Sequence, residues 1–331
     1  MAAGGDGTVL VTGGAGFIGS HLCERLLGQG REVVALDNLN DAYDPRRKEK
    51  NLAALRSLPG FRFVHGDLRD AALVRGLVKD RRPVAVVHIA ALAGVRPSLR
   101  DPVLYHDVNV AGTLTLLEAL RATKAVPFVF ASSSSVYGRG PCLPFREAAG
   151  GESPIAPYGA TKLAGEQLCH AWHRLTGAPV ACLRFFTVYG PRQRPDLALF
   201  KFTRRILQDR EIDLYGDGTS TRDYTYVTDI VDGTVQALER CEGFRVYNLG
   251  GGRSTSLAEL LELLERALGR SARVRRFPPV AGDMEATLAD VSRAGAELGY
   301  RPAVAPAEGV PRFIRWFLSE PLAREGSDGD A

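Results

Sequence analysis

Tyr158-Gly159-Ala160-Thr161-Lys162 sets a phenol and an ammonium four residues apart, on one face of a helix that Pro157 opens. Tyrosine loses its proton only near pH ~10, too high for a base at neutral pH. A neighbouring positive charge favours the phenolate, and each pH unit of lowering takes about 1.4 kcal/mol of differential stabilisation. Tyr158 is therefore the candidate acid/base, with Lys162 supplying that charge. Upstream, Phe130-Ala131-Ser132-Ser133-Ser134-Ser135-Val136-Tyr137-Gly138 ends a strand in hydroxyls, and Ser133 is expected to hydrogen-bond a reacting hydroxyl. Ser132 and Ser135, taken singly, suit an ordinary serine-rich turn equally well.

A second constellation lies at the N-terminus. Val9-Leu10-Val11-Thr12-Gly13-Gly14-Ala15-Gly16-Phe17-Ile18-Gly19 is a strand, a glycine turn and a helix start. Glycines permit the turn and let backbone approach a pyrophosphate, whose charge then sits on the helix N-terminus. Asp37 ends the next strand, 18 residues after Gly19, where a carboxylate accepts from a ribose 2′-hydroxyl and repels a 2′-phosphate. The expected cofactor is NAD rather than NADP, its positive nicotinamide assisting Lys162, which also holds the nicotinamide ribose. Asp67, after the third strand, suits the adenine amine or a plain turn. The full expected cofactor set is Gly13, Gly16, Phe17, Ile18, Gly19, Asp37, Asn38, Asp67, Leu68, Ala90, Ala91, Asn109, Ser132, Tyr158 and Lys162.

Positioning these groups requires alternating strands and helices. Apolar runs at 8–12, 32–36, 61–65, 85–89, 128–131 and 180–183 read as buried parallel strands, and 21–27, 71–79, 103–122 and 158–176 read as crossover helices. The result is an α/β fold, a Rossmann-type doubly wound parallel sheet. After residue 187 the rhythm becomes irregular, with helices near 199–207, 257–268 and 311–318 and little strand, which predicts a smaller, mostly helical C-terminal substrate lobe. The expected division is 1–186 for the dinucleotide-binding domain, with 228–250 returning to it, 187–323 for the lobe, and 324–331 for a disordered tail.

Composition excludes other classes. The 331 residues are 45% hydrophobic and 24% charged, with no apolar run long enough to span a bilayer. No basic and apolar leader precedes residue 8, so the expected location is cytoplasmic. Cys23, Cys142, Cys169, Cys182 and Cys241 are scattered and odd in number, so neither disulfide nor metal is expected. The net charge of +4 is small and the arginines are dispersed, which disfavours nucleic acid as a partner.

Together these motifs resemble the extended short-chain dehydrogenases that act on nucleotide sugars, over nearly the whole chain; the Gly-x-x-Gly-x-x-Gly spacing is theirs. Within that group, Asp37-Asn38-Leu39-Asn40-Asp41-Ala42-Tyr43-Asp44-Pro45, Ala93-Gly94-Val95-Arg96 and Arg184-Phe185-Phe186-Thr187-Val188-Tyr189-Gly190-Pro191-Arg192-Gln193-Arg194-Pro195-Asp196 most resemble UDP-glucuronate 4-epimerases. The resemblance implies NAD-dependent inversion at C4 of UDP-glucuronate to UDP-galacturonate through a 4-keto sugar. It also implies a homodimer formed by the helices at 103–122 and 158–176.

Residues select among the relatives. Related dehydratases carry an Asp-Glu pair where Ser134 and Ser135 stand, and decarboxylases carry a Glu at the latter of these, which disfavours both reactions. UDP-galactose epimerases have Asn in place of Thr187 and no counterpart of Arg194. An arginine grips a planar carboxylate bidentately, so Arg194 is the candidate for the uronate, assisted by Thr187, which leaves a surface arginine as its other reading. Arg222 matches the arginine used on UDP phosphates, Tyr215 and Phe200 are expected at the uracil, and Asp283 aligns with a loop that closes on the nucleotide. Val280 stands where galactose epimerases have a second arginine, leaving a second cation open. Arg96, Ser133, Ser134, Tyr158 and Lys201 complete the expected substrate set. The rival readings are a 4-epimerase of UDP-glucose or UDP-N-acetylglucosamine, a UDP-glucuronate decarboxylase, and a non-catalytic NAD-binding regulator.

Overall fold

Short runs of aliphatic residues form the strands of this computed structural model, which describes residues 7–121, 123, 125–138, 142–148, 152–278 and 284–325. The first half runs β1 (Thr8–Thr12), α1 (Phe17–Gly28), β2 (Glu32–Asp37), α2 (Pro45–Arg56), β3 (Phe61–His65), α3 (Ala71–Arg81) and β4 (Ala85–His88). Then follow α4 (Val95–Arg100), α5 (Pro102–His106), a π turn (Asp107–Ala111), α6 (Gly112–Arg121), β5 (Phe128–Ser133), α7 (Pro157–Thr176) and β6 (Val180–Phe185). The remainder comprises β7 (Thr187–Tyr189), α8 (Ala198–Leu207), β8 (Glu211–Tyr215), β9 (Thr221–Arg222), β10 (Tyr224–Tyr226), α9 (Val227–Arg240) and β11 (Phe244–Leu249). It ends with β12 (Thr255–Ser256), α10 (Leu257–Leu268), β13 (Arg273–Phe277), α11 (Ser292–Leu298), α12 (Pro306–Ser319) and α13 (Pro321–Arg324).

Seven strands make one parallel sheet in the order β11-β6-β5-β4-β1-β2-β3. Side chains alternate across it, as the pleat requires. Val9, Val11, Ala35 and Val87 join a core that continues through Ile230 and Leu238 of α9 to Phe200 of α8 and Phe313 of α12. Leu10, Val34, Val86 and Phe130 face a second core completed by Leu117 and Trp172. Helices cover both faces, so every β1 residue from Val9 to Thr12 is buried, the signature of a doubly wound sheet. The strand order reverses between β1 and β4, and the crevice at that switch point is where such sheets take ligands.

Several expectations needed correction. Pro45–Arg56 is a helix that its charge obscured: Pro-Arg-Arg-Lys-Glu-Lys-Asn precedes the first apolar residue, yet Asp44 caps it by accepting from the Arg46 N–H at 3.0 Å. The segment expected as a helix at 103–122 is continuously helical from Pro102 to Arg121, with the π turn at Asp107–Ala111 inside it. The second lobe holds more strand than expected, in three two-stranded pairs, β7 with β10, β8 with β13 and β9 with β12. These strands have two to five residues, too short for alternation to register. Pro311 reads as a helix start but lies inside α12, whose first residue is Pro306. Arg324, expected in the tail, ends α13, and 326–331 lie outside the described residues.

Candidate active site

The glycine turn follows β1 at the switch point. Gly13 has φ +71°, and a Cβ there would meet the Ala90 nitrogen at 2.8 Å; a Cβ on Gly19 would lie 2.1 Å from the Gly13 carbonyl oxygen. Gly16 differs, since its Cβ direction meets only that oxygen, at 3.2 Å, and it opens α1 without any side-chain cap. Glycine is thus compulsory at Gly13 and Gly19 for packing, while at Gly16 it leaves the first-turn N–H groups of Phe17, Ile18 and Gly19 for an anion. No acid occupies that first turn. The cradle fits a dinucleotide pyrophosphate.

Behind the turn runs a buried relay. His88, fully desolvated, has its pKa depressed to about 3 and is neutral. Thr113 donates to the Asn109 carbonyl at 2.6 Å, so its oxygen accepts from His88 Nε2–H at 2.9 Å. The bare Nδ1 then accepts from the Thr12 hydroxyl at 2.6 Å, and Thr12 accepts from the Ala90 N–H at 3.2 Å. Asn109 sits in the π turn, exchanges hydrogen bonds with Leu92 N–H (2.8 Å) and carbonyl (3.0 Å), and donates to Thr161 of α7 at 3.0 Å. Its amide is held by the scaffold, so that Asn109 ties the Leu92 backbone to α7.

Asp37 is buried and accepts from Ala15 N–H (3.2 Å) and Leu39 N–H (2.9 Å), with Lys48 Nζ at 3.5 Å. Lys48, itself buried on α2, also donates to Asn40 at 3.0 Å. Sequence reasoning passed over Lys48; once α2 is drawn as a helix, Lys48, Asn51, Leu52 and Leu55 fall on its inner face. Asn38 donates to Asp67 at 2.9 Å, and Arg69 grips the same carboxylate at 2.8 and 3.0 Å, holding it well below the usual carboxylate range. Asp67 therefore has the partners of a turn aspartate. Leu68 is buried among core residues.

Tyr158 lies in the first turn of α7, near Ser133 at the end of β5, and meets Tyr105 edge-on, 6.3 Å between centroids. Burial raises its pKa; the Ser133 hydroxyl and the Arg194 charge oppose that rise. Lys162 does not act on it as expected. The ammonium is buried, donates to the Ala131 carbonyl at 2.7 Å, lies over Phe130, and has its pKa lowered to about 8 by desolvation. A buried ammonium takes the nearest strong acceptor, here the backbone of β5. Ser133 also accepts from Ser135 N–H at 3.1 Å, closing a turn that leaves Ser134 half-buried. Ser132 faces away: its hydroxyl donates to Glu166, which is locked to Arg184 at 2.8 and 2.9 Å. Its hydroxyl belongs to the support of the sheet.

The loop after β7 brings in the second set. Arg194 binds Asp196 through Nε to Oδ1 (2.9 Å) and Nη2 to Oδ2 (2.7 Å). Its charge lowers the pKa of Tyr158, Tyr105 and Tyr43 against the effect of burial, which puts the guanidinium within electrostatic reach of the candidate acid/base. Lys201 lies near enough to Asp196 to help hold it ionised. Thr187 and Arg222 line one cavity of about 180 Å³ with Gln193, Leu197 and Tyr224. Arg222 lends Nη1 to the Thr221 carbonyl at 2.9 Å. Arg96 of α4 lies 5.5 Å over the Tyr215 ring, which is 42% exposed and stacks on Phe277 at 5.5 Å. Phe200 is misplaced by the sequence reading: it is fully buried against Phe313 and Phe317, on the core face of α8. Asp283 and Val280 lie outside the described residues.

Among the described residues no group of three His, Cys, Asp or Glu side chains is placed to hold a metal, and the five cysteines carry free thiols. Comparison with known proteins extends this picture. The UDP-glucuronate 4-epimerase of Thermodesulfobacterium geofontis is 40% identical over 311 residues, spanning 94% of this chain and 96% of that protein. The crystal structure of UDP-glucuronic acid 4-epimerase from Bacillus cereus with UDP-glucuronic acid and NAD superposes with a TM-score of 0.88 at 38% identity, covering 93% of this chain and 98% of that one. A Thermotoga maritima UDP-glucose 4-epimerase with UDP-glucose follows at a TM-score of 0.86 and 32% identity, covering 94% and 99%. Residues 9–250 match the NAD dependent epimerase/dehydratase family, and the chain belongs to it.

Proposed function

We propose that this chain is an NAD-dependent UDP-glucuronate 4-epimerase that interconverts UDP-glucuronate and UDP-galacturonate. The observation that carries the reading is Arg194, held by Asp196 within electrostatic reach of Tyr158, where it would meet a C6 carboxylate when C4 faces the phenol. The Thermodesulfobacterium geofontis and Bacillus cereus relatives support the same substrate. The Gly16 cradle and the buried Asp37 hold the dinucleotide, and Lys162 the nicotinamide ribose; when bound, the nicotinamide accepts and later donates the C4 hydride.

In this mechanism Ser133 orients the sugar 4-hydroxyl toward Tyr158. The phenolate takes the hydroxyl proton as C4 is oxidised and returns it when the 4-keto sugar, having turned over, is reduced on its other face. Arg194 with Thr187 holds the carboxylate, Arg222 the phosphates, and the Arg96–Tyr215 pair borders the uracil. Ser134 and Ser135 supply no carboxylate for dehydration or decarboxylation. Residues 187–323, apart from 228–250, form the lobe that receives the sugar nucleotide.

No helix among the described residues is long and apolar enough to cross a membrane, and we assign the enzyme to the cytoplasm. Val103 (76% exposed), Leu99, Leu114 and Leu175 are exposed apolar side chains carried by α4 to α7, and we assign these helices to a homodimer interface. The function is tested by incubating the purified protein, without added NAD, with UDP-glucuronate, UDP-glucose and UDP-N-acetylglucosamine. UDP-glucuronate should convert to a product of unchanged mass that chromatographs as UDP-galacturonate. Turnover of the neutral sugars alone, or loss of CO2 as the main outcome, would refute the assignment.

A further inference from the structure

Arg194 has five N–H donors on three nitrogens, arranged as two forks: one made by Nε and Nη2, the other by Nη1 and Nη2. Asp196 fills the first fork completely, with both oxygens engaged at 2.9 and 2.7 Å. The second, end-on fork is the edge open to a further carboxylate. The intervening residue is Pro195, whose ring locks φ and so fixes the relation between the two side chains. The loop itself is anchored: the Gln193 side chain accepts from Gly190 N–H at 3.2 Å, Gln193 N–H donates to the Gly190 carbonyl at 3.2 Å, and Gln193 is 2% exposed. Leu197 N–H closes back on the Arg194 carbonyl at 3.4 Å. A long, flexible side chain is thereby reduced to one orientation.

We propose that Asp196 is a positioning residue that pins the inner edge of Arg194, so that its end-on fork holds the substrate carboxylate near the plane of the C4 carbonyl. The inference rests on the UDP-glucuronate reading above and concerns how its 4-keto intermediate survives. That intermediate is a β-keto acid. It decarboxylates when the C5–C6 bond stands perpendicular to the carbonyl plane: the C5–C6 electron pair then passes into a C4–C5 enolate, CO2 leaves, and C5 afterwards takes a proton. Holding the carboxylate in plane denies the bond that overlap. Asp196 acts through Arg194 and touches no reacting atom.

The test compares wild type with Asp196→Asn, Asp196→Glu and Arg194→Lys, measuring the ratio of UDP-pentose to UDP-galacturonate by mass spectrometry and the binding of UDP-glucuronate and UDP-glucose by calorimetry. Asp196→Asn should raise the UDP-pentose fraction about tenfold, as loss of orientation at a reacting bond does, while UDP-glucose binds as in wild type. Asp196→Glu, which keeps the charge but moves it by one methylene, should raise that fraction severalfold and serves if the Asn variant fails to fold. In an Arg194→Lys background, which has no fork to pin, adding Asp196→Asn should leave the fraction unchanged. A wild-type fraction in the single variants, an equal loss of UDP-glucose and UDP-glucuronate binding, or tighter UDP-glucuronate binding in Asp196→Asn would each overturn the proposal. The last would show Asp196 competing with substrate for Arg194. If wild type makes no UDP-galacturonate at all, the functional reading fails instead, and that outcome is distinct from these.

Discussion

The two halves of the site are built by different means. On the cofactor side, recognition is mostly backbone: a glycine turn too tight for any side chain, an uncapped helix start, and a neutral histidine relay that fixes the loop opposite. On the proposed substrate side, the candidate groups are side chains, with Arg194, Thr187 and Arg222 carried by short strands and a loop. Backbone geometry tolerates almost no change, whereas side-chain ends can be exchanged while the frame stands. One sheet can therefore keep its cofactor and vary its sugar.

Substitutions can break that contrast or sharpen it. The largest effect is expected at the junction: Tyr158→Phe should lower turnover by a factor on the order of 10³ while UDP-glucuronate still binds, measured by initial rates and calorimetry. Strong binding loss instead would mean that the phenol holds substrate rather than moving its proton. Next, Gly19→Ala should abolish cofactor retention, since the added methyl would press on the Gly13 carbonyl from 2.1 Å, and the protein should purify without bound dinucleotide. Full retention would show the turn to be more pliant than its packing implies.

The smallest effect concerns Lys162. Its pKa falls from an ordinary 10.5 to about 8 on folding, so between those values the unfolded chain binds more protons than the folded one. Stability from this group should therefore rise with pH across that window, being lowest where the buried ammonium is fully charged. Thermal unfolding of the cofactor-free protein at pH 8 and pH 10 should show this increment in wild type and not in Lys162→Met.

The same contrast explains what could be read from the sequence. The glycine turn, the parallel strands and the Tyr158–Lys162 spacing are legible because local sequence encodes them: a tight turn needs glycines, a buried parallel strand needs an unbroken aliphatic run, and one helical turn joins Tyr158 to Lys162. What Lys162 touches is not local, since the Ala131 carbonyl lies 31 residues away in sequence. Phe200 and Lys201 were adjacent candidates, and only the packing of α8 against α12 shows Phe200 in the core. Asn109 and Ser132 have polar side chains of the right kind, and each also has a buried partner that sequence spacing cannot reveal. The fork of Arg194 and Asp196 was within reach, because an acid two residues from an arginine across a proline has few other places to go.

The loop bearing Arg194 is fastened to α1, the helix of the glycine turn. His21 bonds the Pro191 carbonyl at 3.0 Å, and Arg192 pairs with Glu24 at 2.6 Å. Burial depresses the His21 pKa to about 4, so the imidazole stays uncharged across the physiological range and that clasp does not loosen with acidity. Transplanting this loop to retarget a related enzyme would therefore be a two-part graft: without histidine and glutamate at the matching places on the recipient helix, the arginine would arrive on an untethered mount.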